Sequence, residues 1–300
     1  MSAIRIMVHL EEADWQSRRE RHQQRLQPLV GPHVARQSRQ EKHPIYDFLF
    51  EYYGFRPSWL MRWSPGLDVV LNGPSARDYL KHREYHEAEG GVALNPAELD
   101  RDRSTAARWI LNLLEVTAER PPRYSCFGLH EWAMVYRQTP EQIRHQGHAL
   151  RLPPDQLATF VESQALCCTH YDAYRFFTPP AAPLNAFQPT LETRLDMEQG
   201  ACLHTNMDLY KWAAKLWPWI GSTLVGQAFA LAQEGRNLDM RASPYDLAHL
   251  GYDPIPIETP EGRQTYEQAQ RQLAEKARPL RTALAQAAES LTQTTPVERA

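Results

Sequence analysis

Residues 99–122, LDRDRSTAARWILNLLEVTAERPP, carry the clearest secondary-structure pattern in the chain. Their apolar side chains recur every three or four positions, at Leu99, Ala106, Trp109, Ile110, Leu113, Leu114 and Val116. This spacing places the apolar groups on one side of an α-helix. Pro121-Pro122 cannot continue a helix. The stretch therefore predicts a helix over 96–119 that packs one face against a core.

Similar patterns on both sides of this stretch predict a mainly α protein. The further helices are expected at 12–28, 44–52, 75–88, 126–138, 153–178, 190–235 and 260–292, the last on the surface. A short strand is predicted only at Asp68–Leu71. The predicted fold is a single multi-helix globular domain with Pro-rich loops and little or no sheet. We expect this domain to span 12–292, after an N-terminal segment at 1–11 and before a disordered tail at 293–300.

Composition excludes several classes of protein. The net charge of −3 gives no global attraction to nucleic acid or to an anionic membrane. No run of apolar residues approaches the ~18 that a membrane-spanning helix needs, and the first residues lack a secretory signal. The four cysteines contain no Cys-x-x-Cys pair. We therefore expect a cytoplasmic protein with reduced thiols and no membrane partner.

Three segments combine a thiol, an imidazole, a carboxylate, a phenol and a cation within about a dozen residues each. They are CFGLHEWAMVYR (126–137), CCTHYDAYR (167–175) and CLHTNMDLYK (202–211). Burying ionisable groups in apolar helices is costly unless they are paired or used. The recurrence predicts that His130, His170, His204 and Asp208 converge on one pocket.

The third segment has the sharpest geometry. On a helix, His204, Asp208 and Lys211 stand at i, i+4 and i+7 and share one face. Such a face can hold a metal, move a proton or stabilise a cationic transition state. The structural alternative is a surface ion pair between Asp208 and Lys211 beside an ordinary histidine.

The other two segments leave both alternatives open. His130 and Glu131 are adjacent and diverge by ~100° on a helix, so they cannot both point at one ion. Cys126 and His130 share a face, which also fits a buried thiol beside a hydrogen-bonded histidine. His170 and Asp172 lie among aromatic residues, as in a pocket wall or in an aromatic core.

Two more patterns are candidates for a site. His43, Asp47 and Glu51 step by four along one helix and could face a metal ion in a helical bundle, or solvent. Arg241 lies in a polar turn, where it could clamp a carboxylate or phosphate, or tie the loop to Asp239 or Asp246.

Several long strings together resemble a bacterial protein family that is commonly labelled 3-methyladenine DNA glycosylase. The strings are EKHPIYDFLFEYYGFRP, CFGLHEWAMVYR, HYDAYRFFTP, HTNMDLYKWA, LDMRASPYDL and GYDPIPIETPEG, and the likeness covers most of residues 12–290. The motifs differ from those of helix-hairpin-helix and alkyladenine glycosylases.

This resemblance implies a DNA-repair N-glycosylase that removes alkylated purines, with DNA as its partner. Such an enzyme needs a carboxylate beside the sugar, aromatic rings around a flipped base and cations for phosphates. The catalytic candidates are Asp208, His204, Lys211, His170, Asp172, His130 and Glu131. The substrate-binding candidates are Tyr53, Arg56, Trp59, Arg137, Tyr174, Arg175 and Arg241.

The residues themselves support a second hypothesis, a metal-dependent helical enzyme. Imidazole and carboxylate together suit iron, manganese or zinc. The candidate metal ligands are His43, His130, His170 and His204, with nearby acids. A transition metal is the cofactor that this hypothesis predicts, and it names no substrate.

Overall fold

The computed structural model describes residues 7–143 and 147–294. Helices dominate it, as predicted. The α-helices are, in chain order, α1 (Glu12–Ser38), α2 (Phe48–Tyr53), α3 (Pro57–Leu60), α4 (Arg101–Glu119), α5 (Leu129–Ala133), α6 (Pro154–Glu162), α7 (Tyr171–Tyr174), α8 (Arg194–Met197), α9 (Leu203–Leu216), α10 (Ser222–Ala242) and α11 (Pro260–Thr292). Short 3₁₀ helices lie at Pro74–Lys81, Pro96–Glu98, Ala182–Leu184 and Ala248–Leu250.

The prediction of little or no sheet understates the β content. Four strands, β1 (Val8–Leu10), β2 (Val69–Leu71), β3 (Tyr85–Ala88) and β4 (Gly91–Leu94), form one sheet in the order β1-β2-β4-β3. β1 pairs in parallel with β2, whereas the pairs β2–β4 and β3–β4 are antiparallel. Strands of three or four residues are too short to show a period of two. The prediction of a helix over 75–88 is wrong beyond Lys81, because β3 begins at Tyr85.

The core of the helical part is built by α4, α9, α10 and α11, which contact one another. Helix α4 begins where the Asp100 side chain accepts a hydrogen bond from the Arg103 backbone N–H, an N-cap interaction. Its predicted apolar face is buried through Ile110, Leu113 and Leu114. Helix α11 also buries a face, because Tyr266 and Leu284 lie in the core. The prediction that α11 lies on the surface is therefore correct only for the face of the helix opposite to Tyr266 and Leu284.

Several predicted helices are interrupted, and residues of the candidate site lie at these interruptions. In place of a helix over 126–138 there is only α5, preceded by Phe127 and Gly128 with φ of 47° and 74°. In place of a helix over 153–178 there are α6 and α7, with an irregular segment between them that contains Cys167 and Cys168. The chain between 190 and 235 forms three helices. His170 lies directly before α7 and Glu198 directly after α8, and their side chains approach to 3.5 Å in the interior.

Both ends of the chain lie partly outside the described residues. The predicted disordered tail falls mostly outside the described residues, which stop at Thr294. The N-terminal segment contributes β1 to the sheet. No helix in the described ranges is both long and apolar enough to cross a membrane.

Candidate functional site

Helix α9 positions the centre of the site. Most of its side chains are buried, because the helix is covered by α10, α11 and α4. His204 and Asp208 therefore point into the protein rather than to solvent, with residue exposures of 8% and 1%. Lys211 continues the same face toward the surface. This arrangement excludes the alternative of a surface ion pair between Asp208 and Lys211.

The innermost group consists of His170, Glu198 and Asp208. The Nε2 atom of His170 lies 3.4 Å from Asp208 Oδ2 and 3.5 Å from Glu198 Oε1. All three side chains are at most 2% exposed. None of these three atoms has a hydrogen-bond partner among the described residues, although buried polar atoms are nearly always hydrogen-bonded. We call these three residues the inner triad.

The other oxygen of Asp208 is fixed from α2. The Tyr53 hydroxyl donates a hydrogen bond of 2.8 Å to Asp208 Oδ1. Burial raises the pKa of Asp208, but contact with His170 and the charge of Lys211 outweigh burial and hold the pKa below its ordinary value. Asp208 is therefore ionised at neutral pH.

Cations surround the inner triad on one side. Asp172 Oδ2 accepts hydrogen bonds of 2.7 Å from both Lys211 Nζ and Arg194 Nη2. Although burial alone would raise the pKa of Asp172, these two cations hold it well below its usual range. Arg194 Nε also lies 3.1 Å from Glu198 Oε1, without the alignment of a hydrogen bond.

A second buried group forms around His130. Its Nε2 atom lies 2.7 Å from Asp239 Oδ1, so the carboxylate accepts the ring N–H. Arg236 Nη1 bridges the acids, at 2.9 Å from Asp239 Oδ2 and 2.7 Å from Glu131 Oε1. Glu131 thus pairs with Arg236 and does not point at the same place as His130, as their adjacent positions predicted.

The imidazole of His204 joins the two groups. Its ring centroid lies 4.5 Å from that of His130 and 5.5 Å from that of His170. Burial, assisted by the charge of His130, lowers the pKa of His204 to about 3. His204 is therefore a neutral ring at physiological pH, with a lone pair available to a hydrogen-bond donor or a metal.

The pKa values of the other two histidines, His130 and His170, shift in the opposite direction. Burial lowers the pKa of His130 and His170, but the neighbouring carboxylates outweigh it and raise both above the ordinary value. For His130 the main partner is Asp239, and for His170 it is Glu198 followed by Asp208. The neighbouring carboxylates therefore favour the protonated form of both rings.

The structure thus places His130, His170, His204 and Asp208 together, with Asp172, Glu131 and Lys211 around them. His43 lies elsewhere. Its Nδ1 atom accepts backbone N–H groups from Ile45 and Tyr46. Asp47, from the same stripe, binds His33 and Arg36 rather than a member of either buried group.

Most of the predicted substrate-binding residues lie apart from the centre. Arg137 pairs with Glu162 in an exposed ion pair, and Tyr174 donates to Gln188. Arg241 donates to the backbone oxygen of Asp253, so it ties its own loop.

The remaining predicted substrate-binding residues lie on the side of α2 and α3. Arg56 is exposed, and Trp59 packs between Phe55 and Trp217. Arg175 approaches Asp172 at 3.4 Å and Tyr53 reaches Asp208, so these two border the buried groups.

Sequence reasoning did not identify Glu198 and Arg194, nor Arg236 as the partner of Asp239. Arg236 and Asp239 are three residues apart within an apolar helix, and this spacing is a usable signal. Glu198 follows the four-residue helix α8, where no periodicity marks a buried carboxylate.

A cavity of about 20 Å³ borders the second group, lined in part by His130 and His204. A space of this size accepts a water molecule or an ion. Comparisons of the chain with family models, with curated proteins and with solved structures gave no match.

Proposed function

We propose that the protein is a metal-dependent enzyme whose ion is held by the inner triad. The unpartnered atoms of His170, Glu198 and Asp208 carry this proposal. Tetrahedral coordination with bonds of ~2.0–2.2 Å separates neighbouring ligand atoms by roughly 3.4 Å. The separations of 3.4 and 3.5 Å from His170 Nε2 to the two carboxylates are close to that value, and all three ligand atoms lie within 4.8 Å of one another.

The balance of charge supports the same proposal. The two buried groups contain five acids, Glu131, Asp172, Glu198, Asp208 and Asp239. Apart from the half-exposed Arg175, their permanent cations are Arg194, Lys211 and Arg236. With all acids ionised, two negative charges then remain within the groups. Buried charge without compensation is strongly unfavourable. Protons can compensate it, on His130 and His170 or on Glu131 and Glu198, whose pKa burial raises, and so can one divalent cation.

The ligand set indicates the class of ion. One imidazole and two carboxylates suit zinc, iron or manganese better than a thiophilic ion. A bound ion of this kind lowers the pKa of a coordinated water and polarises a substrate oxygen. The neutral ring of His204, with its centroid 5.5 Å from that of His170, lies beside this ligand set, and its low pKa makes it a hydrogen-bonding or metal-ligating group rather than a base. Zinc would indicate hydrolysis, and iron would indicate oxygen chemistry.

Elemental analysis and titration of metal-free protein with zinc, manganese and ferrous ions test this proposal. We expect one ion per chain. Glu198→Gln keeps the shape and removes a ligand charge, so its affinity should fall by at least about 10–100-fold, the loss common for outer-shell partners alone. Glu234→Gln is the matched control, because Glu234 pairs with Lys276 at the surface. The absence of any stoichiometric ion in the wild type would contradict the proposal.

The DNA glycosylase predicted by resemblance is a second candidate, and the buried, ionised Asp208 favours it. In that enzyme the carboxylate would stabilise positive charge on the sugar. Asp208→Asn should then reduce release of 3-methyladenine from alkylated DNA by a factor that corresponds to ~2.7–4 kcal/mol, with little change in DNA binding. In the metal enzyme the same substitution should instead remove metal and activity together. A wild-type protein that releases no alkylated base eliminates the glycosylase proposal.

A further inference from the structure

All four cysteines of the chain line the small cavity beside His130 and His204. They come from three separate places in the sequence. Cys126 precedes α5, Cys167 and Cys168 lie between α6 and α7, and Cys202 precedes α9. All four are free thiols. Their convergence is a feature of the tertiary structure that neither metal-dependent catalysis at the inner triad nor base excision uses.

The orientation of His130 points one of its ring nitrogens at these thiols. Because the Asp239 carboxylate accepts the Nε2–H, the neutral ring has its lone pair on Nδ1. Nδ1 lies 3.8 Å from Cys126 Sγ. A tetrahedral ion with bonds of ~2.0–2.1 Å to nitrogen and ~2.3 Å to sulfur separates the two ligand atoms by roughly 3.6 Å. A carboxylate behind a ligating histidine is the usual second partner of such a ring.

Burial disfavours the thiolate form of three of these cysteines. Burial raises the pKa of Cys126 and Cys168 well above the ordinary value and that of Cys202 to about 11. Reactive cysteines are instead found where a cation or a helix N-terminus lowers the pKa. A bound metal ion deprotonates a coordinating thiol outright, so these thiols suit a ligand role better than a nucleophilic one.

We propose that this cavity is a second metal site, for a thiophilic d10 ion such as zinc(II), cadmium(II) or copper(I). Cys126 Sγ and His130 Nδ1 form the starting pair. The groups of three potential ligands already in place, His130–His204–Asp239 and the inner triad, contain no cysteine, so in this proposal Cys167, Cys168 or Cys202 joins the pair by rotation about its side-chain bonds. Each thiol that binds releases one proton to solvent, and a charged His130 ring releases its Nδ1 proton. This site shares no residue with the inner triad, and its soft sulfur ligands select a different class of ion.

Titration of the metal-free, reduced full-length protein with cadmium(II) tests the site. We expect one cadmium ion with a thiolate-to-metal charge-transfer band in the ultraviolet, and a release of protons measured in weak buffer. Cys126→Ser should lose the share of the band that one thiolate contributes and weaken cadmium binding by at least about 100-fold, judged against the ~10–100-fold effect of outer-shell changes. Glu198→Gln is the control, because it alters the inner triad and should keep the band.

A wild type that binds no cadmium through thiolates overturns this proposal, whatever the inner triad binds. Retention of the full band by Cys126→Ser with a native circular dichroism spectrum also overturns it. If Cys126→Ser does not fold, the Glu198→Gln protein, which lacks one inner ligand, decides. Cadmium should give the thiolate band and raise the melting temperature of this variant, and an unchanged melting temperature without a band refutes the site. Loss of the inner metal in Glu198→Gln with an intact band separates the two proposals.

Discussion

At the scale of single residues, Arg236 gives the clearest test. Its guanidinium is almost completely buried and bridges two acids. It is 1% exposed, contacts Glu131 and Asp239, and lies 3.9 Å from the centre of the Phe48 ring. Removing one partner of a buried ion pair leaves an uncompensated charge, which costs about 3–5 kcal/mol. Arg236→Gln should lower the free energy of unfolding by that amount in urea titrations.

The matched control for Arg236 is Lys276, whose Nζ atom lies 2.6 Å from Glu234 in an exposed pair. Exposed pairs contribute no more than about 1 kcal/mol, so Lys276→Gln should be nearly neutral. Equal effects of the two substitutions would mean that the buried group is not held by its ion pairs.

Asp47 gives a pH-dependent prediction away from both buried groups. Burial raises the pKa of Asp47, but hydrogen bonds from Arg36, His33 and the His43 backbone outweigh burial and hold it below the ordinary value. A depressed carboxyl pKa stabilises the fold above the unfolded value of ~3.9, and the benefit disappears as pH falls through the folded value.

The stability difference between wild type and Asp47→Asn should therefore be largest near neutral pH and shrink below pH ~4. Urea denaturation at a series of pH values measures it. A difference that is constant from neutral to acidic pH would show that the charge of Asp47 is not what stabilises the α1–α2 connection.

At the scale of elements, two glycines of α10 face different neighbours. A Cβ atom on Gly235 would lie 2.7 Å from Met207 Cγ of α9, whereas one on Gly226 would lie 3.4 Å from the His22 ring of α1. Replacing glycine by alanine inside a helix gains up to about 1 kcal/mol, but overpacking costs about 1–3 kcal/mol. Gly226→Ala should therefore raise the free energy of unfolding, and Gly235→Ala should lower it.

Chemical denaturation of the two glycine variants under the same conditions checks this difference in sign. Stabilisation by Gly235→Ala would imply that α9 can move away from α10 without loss. Such freedom would be unexpected for a helix that carries His204 and Asp208 in fixed positions.

Elements with long periodic patterns were predictable from the sequence, and short ones were not. Helices α4 and α11 follow their apolar repeats, because each has enough turns to show a period of 3.6. The four strands have at most four residues each, and β3 (YHEA) has no apolar alternation. The breaks around α5 and α7 depend on local backbone conformations such as the positive φ of Phe127, for which residue type gives no signal.

At the scale of the whole molecule, most residues of the candidate site were predictable from the sequence, whereas Arg194, Glu198, Arg236 and Asp239 were not. His204 and Asp208 share a helix face, so their proximity follows from spacing alone. The approach of His170 to them depends on how separate segments pack, and its prediction rested on the cost of burying ionisable groups. Glu198 and Arg194 come from a short segment whose partners are distant in sequence. Only the tertiary structure brings them to the same place.

The indole of Trp212 gives this arrangement an optical consequence. Its ring lies 4.7 Å from Lys211 Nζ and 5.6 Å from the Arg194 guanidinium, and it packs edge-to-face against Trp109 at 5.2 Å. Two indoles at this distance, with their planes inclined at 64°, couple their electronic transitions, and the nearby positive charges shift those transitions. Any event that redistributes charge between Asp172, Lys211 and Arg194 would alter near-ultraviolet ellipticity and intrinsic fluorescence. The Trp109–Trp212 pair is therefore a spectroscopic reporter of the charge state of Asp172, Lys211 and Arg194.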